Sequence, residues 1–123
     1  MPHQLKTEIE GDILIATAAG TRDTRTVAAV AHEVAALCRQ KDIPKLLLDA
    51  SGLEGTLKTL DAFSLVVKHF PDLRRLAELE KAAVLDKELT EEQHRFLENV
   101  AVNRGYNFRV FDDRDKALEW LRG

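Results

Sequence analysis

The clearest hydrophobic pattern lies in the middle of the chain, where an unbroken apolar run, Leu46-Leu47-Leu48, ends at Asp49. A short apolar run closed by turn residues is typical of a strand that is buried on both faces. Ser and Gly follow, and apolar residues then recur at helical spacing. The pattern predicts a central parallel strand, a loop at its carboxyl end, and a helix that leads away. Open α/β sheets bind ligands at the carboxyl ends of their strands, so we expect any binding surface at this loop.

The chain before this strand predicts a hairpin and a helix. Apolar and polar residues alternate over residues 4–9, residues 10–12 have the composition of a turn, and residues 13–16 form a second short apolar run. Two short strands around a Gly turn predict a β-hairpin. The next helix has acceptable N-caps at Asp23, Thr24 and Thr26, and its apolar stripe is Val27, Val30, Val34 and Leu37.

Two helices are predicted directly after the central loop. Residues 57–70 carry apolar side chains at intervals of three and four, which is typical of an amphipathic helix. Pro71 ends this helix, because the residue before a proline avoids helical dihedrals. Residues 72–80 have the pattern of a further short helix, and Pro71 suits its first turn.

The remainder of the chain predicts a strand, a helix, a strand and a helix. Residues 81–86 form a short apolar run that again ends in an aspartate. Thr90 and Gln93 form a capping box, and Gly105 is a typical end for the helix that follows. Alternation over residues 106–110 predicts a strand near a sheet edge, and Asp112 or Asp113 caps the last helix.

Strands that alternate with helices predict a mainly parallel sheet between helical layers, joined by right-handed crossovers. The hairpin requires one antiparallel strand. We therefore expect an α/β fold with a mixed, mostly parallel sheet of about five strands and about four to five helices. A chain of 123 residues has the usual length of a single domain, here residues 1–123.

Composition narrows the classes of function. The formal net charge of −3 argues against a nucleic-acid binder, which needs a basic face. Cys38 is the only cysteine, so no intramolecular disulfide is available, and its alanine-rich helical context predicts a small buried residue. No apolar run approaches the ~20 residues of a membrane-spanning helix, and the start of the chain lacks the apolar core of a signal peptide. We therefore expect a cytoplasmic protein.

Three aspartates supply the strongest hint of chemistry. Asp49, Asp86 and Asp112 each follow a predicted parallel strand, so we expect them at one rim of the sheet. Converging carboxylates bind magnesium, and a magnesium-dependent site on this rim is one hypothesis. Each aspartate also has a structural explanation, as a turn former or a helix cap. Residue spacing indicates no pair of nucleophile and base, and we assign no catalytic residue, metal ligand or cofactor.

The element order and several short motifs resemble the SpoIIAA-like branch of the STAS domains, which also contains bacterial STAS/SEC14-type relatives of unknown function. The resemblance covers nearly the whole chain and implies a single domain with a SpoIIAA-like (STAS) fold. The matching motifs are the hairpin turn at residues 10–12 with Gly20 after it, Leu-Leu-Asp-Ala-Ser-Gly-Leu-Glu-Gly at residues 47–55, Lys-His-Phe at residues 68–70, and the closing residues 111–121.

The resemblance also implies a function. In anti-sigma-factor antagonists, the loop and helix after the central strand bind a partner protein, and phosphorylation of a serine there ends the binding. The resemblance therefore implies a regulatory protein-binding module rather than an enzyme, with no cofactor and a regulatory protein as partner. The surface it implies for that partner is Asp49, Gly52, Glu54, Gly55 and Asp61.

The phosphorylation motif of the family is only half present. Its Asp-x-Ser part matches residues 49–51, but its later Asp-Ser-Ser-Gly part is absent. The positions of that second part fall near residues 57–60, where Thr59 alone has a hydroxyl group. Thr59 and Ser51 are therefore the candidate phosphoacceptors, with a helix N-cap and a turn residue as their structural alternatives.

A second function remains open from the pattern of apolar residues. A pocket between the helix of residues 57–70 and the sheet would accept a small apolar or lipid-like ligand. Phe63, Val67 and Phe70 would line this pocket, or they would pack in the core.

Overall fold

A computed structural model describes residues 3–55, 79–103 and 105–123. Within these residues the chain forms five strands and three helices. In chain order they are β1 (Gln4–Glu10), β2 (Ile13–Thr21), α1 (Thr24–Lys41), β3 (Lys45–Glu54), β4 (Lys81–Leu85), α2 (Glu91–Asn103), β5 (Phe108–Phe111) and α3 (Arg114–Arg122).

The five strands form one sheet in the order β1-β2-β3-β4-β5. β1 pairs with β2 in the antiparallel direction, and every other neighbouring pair is parallel. The predicted mixed sheet, its opening hairpin and the edge position of the last strand are confirmed. The helix predicted at residues 57–70 lies outside the described residues, and so do residues 72–78 of the second predicted helix. The last two residues of that prediction, 79 and 80, are described and are not helical.

The helices cover the two faces of the sheet. Successive side chains of a strand point to opposite faces, so a central strand buries alternate residues in different cores. On β3, Leu46 and Leu48 pack in the core that contains α1, whereas Leu47 packs in the core that contains α3. Cys38 of α1 is buried as predicted, and burial raises the pKa of its thiol to about 11.

The ends of the helices follow the local sequence. The Asp23 carboxylate accepts a hydrogen bond from the Thr26 N–H at 2.7 Å, and this bond lowers the pKa of Asp23. The side chains of Thr90 and Gln93 each accept from the backbone N–H of the other, at 3.1 and 2.9 Å. The predicted capping box is confirmed. Of the N-caps that the sequence allows, Asp23 caps α1 and Asp113 caps α3.

The predicted end of the central strand is wrong, because β3 does not stop at Asp49 but continues to Glu54. Its register with β2 shifts after Asp49, so that Ala50 and Ser51 together lie opposite Ala18. Such a β-bulge holds one extra residue without ending the strand. The Asp49 carboxylate accepts a hydrogen bond from the Ser51 N–H at 2.9 Å, which replaces a bond of the ladder. The turn composition therefore marks a bulge.

Gly52 resumes the ladder after the bulge. A Cβ atom at this position would lie 2.6 Å from the Ala18 carbonyl oxygen of the neighbouring strand, which is closer than van der Waals contact allows. Gly52 is therefore required by the close approach of β2 and β3 at the bulge.

We expect Gly52→Ala to lower the free energy of unfolding by about 1–3 kcal/mol, because the two strands must separate to admit the methyl group. Urea unfolding monitored by circular dichroism measures the change. Ser51→Ala is the matched control, since it alters the exposed neighbouring residue and adds no contact. Equal stability of Gly52→Ala and wild type would contradict the crowding argument.

Candidate functional site

The candidate site is the carboxyl end of β3, residues 49–55, which we name the β3 end segment. Its exposed members are Ser51, Gly52, Glu54 and Gly55, whereas Leu53 is buried. The structure thus brings together five of the residues that the sequence singled out, since Asp49 begins the same segment. Thr59 and Asp61, the other two, lie outside the described residues, as do Phe63, Val67 and Phe70.

Arg22 supports the β3 end segment from beneath. It follows β2 directly, and its side chain is only 1% exposed. The Arg22 backbone N–H donates to the Glu54 carbonyl at 2.6 Å. Nη2 of its guanidinium donates to the carbonyls of Ala50 and Leu53, at 3.1 and 3.0 Å. One residue therefore holds three carbonyl groups of the segment.

The charge of Arg22 is balanced by Asp86. Nη1 of the guanidinium donates to Oδ2 of the Asp86 carboxylate, whose side chain is only 4% exposed. Oδ1 of the same carboxylate accepts from the Glu88 N–H at 3.0 Å, and the Asp86 N–H donates to the Phe111 carbonyl at 3.0 Å. The pair thus connects the carboxyl ends of β2, β3, β4 and β5.

An apolar cavity of about 90 Å³ adjoins this ion pair. It lies on the face of the sheet that α1 and α2 cover, and both Arg22 and Asp86 reach its wall. Among the described residues, Arg22 Nε is the one buried side-chain nitrogen or oxygen that lacks a hydrogen-bond partner. The apolar part of the wall includes Val30, Val34, Leu48, Val84, Leu97 and Val110.

Comparison with protein-family models identifies the fold family. The model described as SpoIIAA-like matches residues 13–122, which is most of the chain. The chain belongs to the SpoIIAA-like family. A comparison with the curated proteins produced no match.

Solved structures with the same fold confirm the architecture of this SpoIIAA-like chain. An anti-sigma factor antagonist from Mycobacterium paratuberculosis superposes with a TM-score of 0.62 at 17% identity, covering 98% of this chain and 95% of that one. An uncharacterized DUF3478-family protein with a SpoIIAA-like fold, from Shewanella loihica PV-4, has a TM-score of 0.58 at 19% identity, covering 98% and 94%. At these identities the likeness establishes the fold.

The predicted convergence of three aspartates is wrong for this SpoIIAA-like sheet. Asp49 pairs in register with Leu85, so the next residue, Asp86, points to the opposite face. Asp49 accordingly lies 3.6 Å from Nη1 of Arg114 on α3, whereas Asp86 binds Arg22 on the other side. Within residues 3–55, 79–103 and 105–123, no three metal-ligating side chains form a cluster.

Arg22 is the site residue that sequence reasoning missed. It lies in the short connection between β2 and α1, where a charged residue is ordinarily taken as solvated. Its ionic partner is 64 residues away along the chain, so no local spacing links the two. The one usable signal was that Asp86 ends a buried strand, because a carboxylate there needs a partner.

None of the helices in the described part of the chain has the length and the apolar composition of a membrane span.

We expect Arg22→Met and Asp86→Leu each to lower the free energy of unfolding by about 3–5 kcal/mol, because either change leaves one buried charge without its partner. The double variant should lose less than the sum of the two. Urea unfolding of all four proteins in a double-mutant cycle measures the coupling.

Arg95→Met is the control for the buried pair. The Arg95–Glu91 pair on α2 is exposed, with side chains 73% and 81% accessible, so this change should cost no more than about 0.5 kcal/mol. If the single variants of Arg22 and Asp86 have the same free energy of unfolding as wild type, the role assigned to the pair is refuted.

Proposed function

We propose that the protein is a non-catalytic regulatory module that binds a partner protein through the β3 end segment and the residues that follow as far as Asp61. Membership of the SpoIIAA-like family supports a regulatory role, since one protein of this fold is an anti-sigma factor antagonist. A cytoplasmic location, expected from the sequence, belongs to the same proposal.

The observation that carries the proposal is the contrast between the two sides of the β3 end segment. Ser51, Glu54 and Gly55 are exposed, while the carbonyl groups of the segment are held by Arg22. A surface whose backbone is already fixed loses little conformational entropy when it binds. The segment therefore presents its side chains to a partner in a preorganised arrangement.

The charges of the segment indicate the kind of partner surface. The segment has two charged side chains, Asp49 and Glu54. Glu54 is exposed to solvent, whereas the side chain of Asp49 is only 14% exposed and lies near Arg114. A basic patch on the partner would complement the Glu54 carboxylate and would speed association.

Phosphorylation of Ser51 would change that surface. Its side chain is exposed, and its N–H is bound by the Asp49 carboxylate. A phosphate adds about −1.5 to −2 charges. Placed between Asp49 and Glu54, it would strengthen the negative field and would alter affinity for a charged partner. Thr59 is the second candidate acceptor, and it lies in the proposed continuation of the surface.

We expect Glu54→Arg to weaken partner binding by at least about tenfold, because it reverses the exposed charge of the surface. A partner captured from the native host by the wild-type protein would be identified, purified and titrated calorimetrically against each variant. Glu92→Arg, an equal change of charge on the exposed start of α2, is the control. The same affinity for wild type and Glu54→Arg would count against this face.

The cavity favours a second function, the binding of a small apolar ligand. Its size decides which ligands fit: an engineered apolar cavity of about 150 Å³ holds benzene, whereas this one measures about 90 Å³. A lipid chain is therefore too large for the cavity as it stands. A compact ligand with one hydrogen-bond acceptor would match the apolar wall and the unpartnered Arg22 Nε.

We expect acetone, which is smaller than benzene and carries one acceptor, to raise the melting temperature at millimolar concentration, because a ligand that binds only the folded state stabilises it. Isobutane, which has a similar shape and lacks the acceptor, should raise it less. Ala31→Leu, which adds a side chain at the cavity wall, should abolish the shift. An equal shift in wild type and Ala31→Leu would show that the ketone acts elsewhere.

A further inference from the structure

The free edge of the hairpin carries an interaction surface that the proposed function does not use. Among the residues that the structure describes, β1 is the outermost strand of the sheet, and six of its seven residues are exposed. Ile9, with 54% of its surface accessible, is one of two large apolar residues exposed among those the structure describes. A strand edge of this length is a template for pairing with another strand.

The backbone geometry shows which groups of β1 are available. Its link to β2 is the two-residue turn Gly11-Asp12, with a φ of 61° at Gly11, and it closes on the pair Glu10–Ile13. In a two-residue hairpin this closing pair is hydrogen bonded, and bonded pairs then alternate along the ladder. The even-numbered residues of β1 thus bond to β2. Leu5, Thr7 and Ile9 direct their N–H and C=O groups toward the open edge.

We propose that β1 binds the β1 strand of a second copy of this chain, antiparallel and with Thr7 on the two-fold axis. This register pairs the outward backbone groups of Thr7 with themselves and those of Leu5 with Ile9. It also places Lys6 of each copy opposite Glu8 of the other. Opposite charges directly across an antiparallel pair are favourable, and so are two apolar side chains. The two sheets become one sheet of ten strands.

The same sequence disfavours the neighbouring registers. A shift by two residues in one direction places Lys6 opposite Lys6. A shift in the other direction places Glu8 opposite Glu8 on the two-fold axis, and it pairs Lys6 with Glu10, whose carboxylate already binds Arg122. Like charges directly opposite each other are destabilising. A shift by one residue mismatches the outward backbone groups and turns the apolar side chains to the other face. The charge pattern of β1 therefore favours the register with Thr7 on the two-fold axis, in which no like charges face each other.

Within one copy, two arginines of α3 already contact the glutamates of β1. Arg114 lies 3.7 Å from Glu8, and Arg122 lies 2.5 Å from Glu10, with both arginines on α3. In the dimer, Lys6 of the second copy would approach Glu8 on the side that faces away from Arg114. Pairing through one seven-residue strand buries less surface than a stable interface requires, so the dimer is weak and reversible.

Charge reversal tests the proposal by sedimentation equilibrium. Wild type should self-associate as its concentration rises to about 1 mM, and added salt should weaken the association. Lys6→Glu and Glu8→Lys should each raise the dissociation constant by roughly tenfold or more, since each replaces two opposite-charge pairs with like-charge pairs. An equimolar mixture of these two variants should dimerise again, because the mixed pair restores both opposite-charge contacts.

Matched controls separate this register from a general effect of charge. Lys116→Glu and Glu92→Lys make the same charge changes at exposed helical positions and should leave the association unchanged. Thr7→Pro removes the N–H on the two-fold axis without removing a bond to β2, and it should also abolish the dimer. Circular dichroism shows whether each variant is folded. If Thr7→Pro is unfolded, the charge variants alone test the proposal.

Three results would overturn the proposal. They are a monomeric wild type up to about 1 mM, a dimer that persists in both Lys6→Glu and Glu8→Lys, and a mixture of these variants that stays monomeric. None of them bears on partner binding at the β3 end segment, so this proposal and the proposed function fail separately.

Discussion

The buried ion pair between Arg22 and Asp86 is the constraint on which the carboxyl end of the sheet depends. Each charge is almost fully removed from water, and the two charges compensate each other. The guanidinium also holds the carbonyls of Ala50 and Leu53, which follow the point where the register of β3 shifts. The pair therefore fixes the one place where the strand departs from regular pairing, and that place is the candidate binding surface.

Local features of the structure were predictable from local sequence. The capping box at Thr90 and Gln93 needs only residues three apart, and the hairpin needs only the turn at Gly11 between an alternating stretch and a short apolar run. The burial of Leu46, Leu47 and Leu48 also follows from one short run. In each case the physical cause acts within a few residues, so the sequence of that stretch contains the whole signal.

Features that depend on distant residues were not predictable. The sequence predicts that β3 ends at Asp49, because Ser51 and Gly52 are turn formers. In the structure Ser51 lies in a bulge that β2 and Arg22 hold in the sheet, and Gly52 resumes the ladder. The three aspartates were expected to converge because each ends a strand. Their faces depend on the register of neighbouring strands, which sets Asp49 and Asp86 on opposite sides. Register is a property of the assembled sheet.

The roles of the residues within the β3 end segment now separate. Gly52 is required by the Ala18 carbonyl oxygen, and Gly55, with a φ of 106°, holds a conformation that glycine adopts without strain. Both glycines therefore shape the backbone. The exposed side chains of the segment are then the hydroxyl group of Ser51 and the carboxylate of Glu54, and the proposed function would use these two to distinguish one partner from another. Under the proposed function, a SpoIIAA-like scaffold would keep its two glycines and change its partner through these two positions.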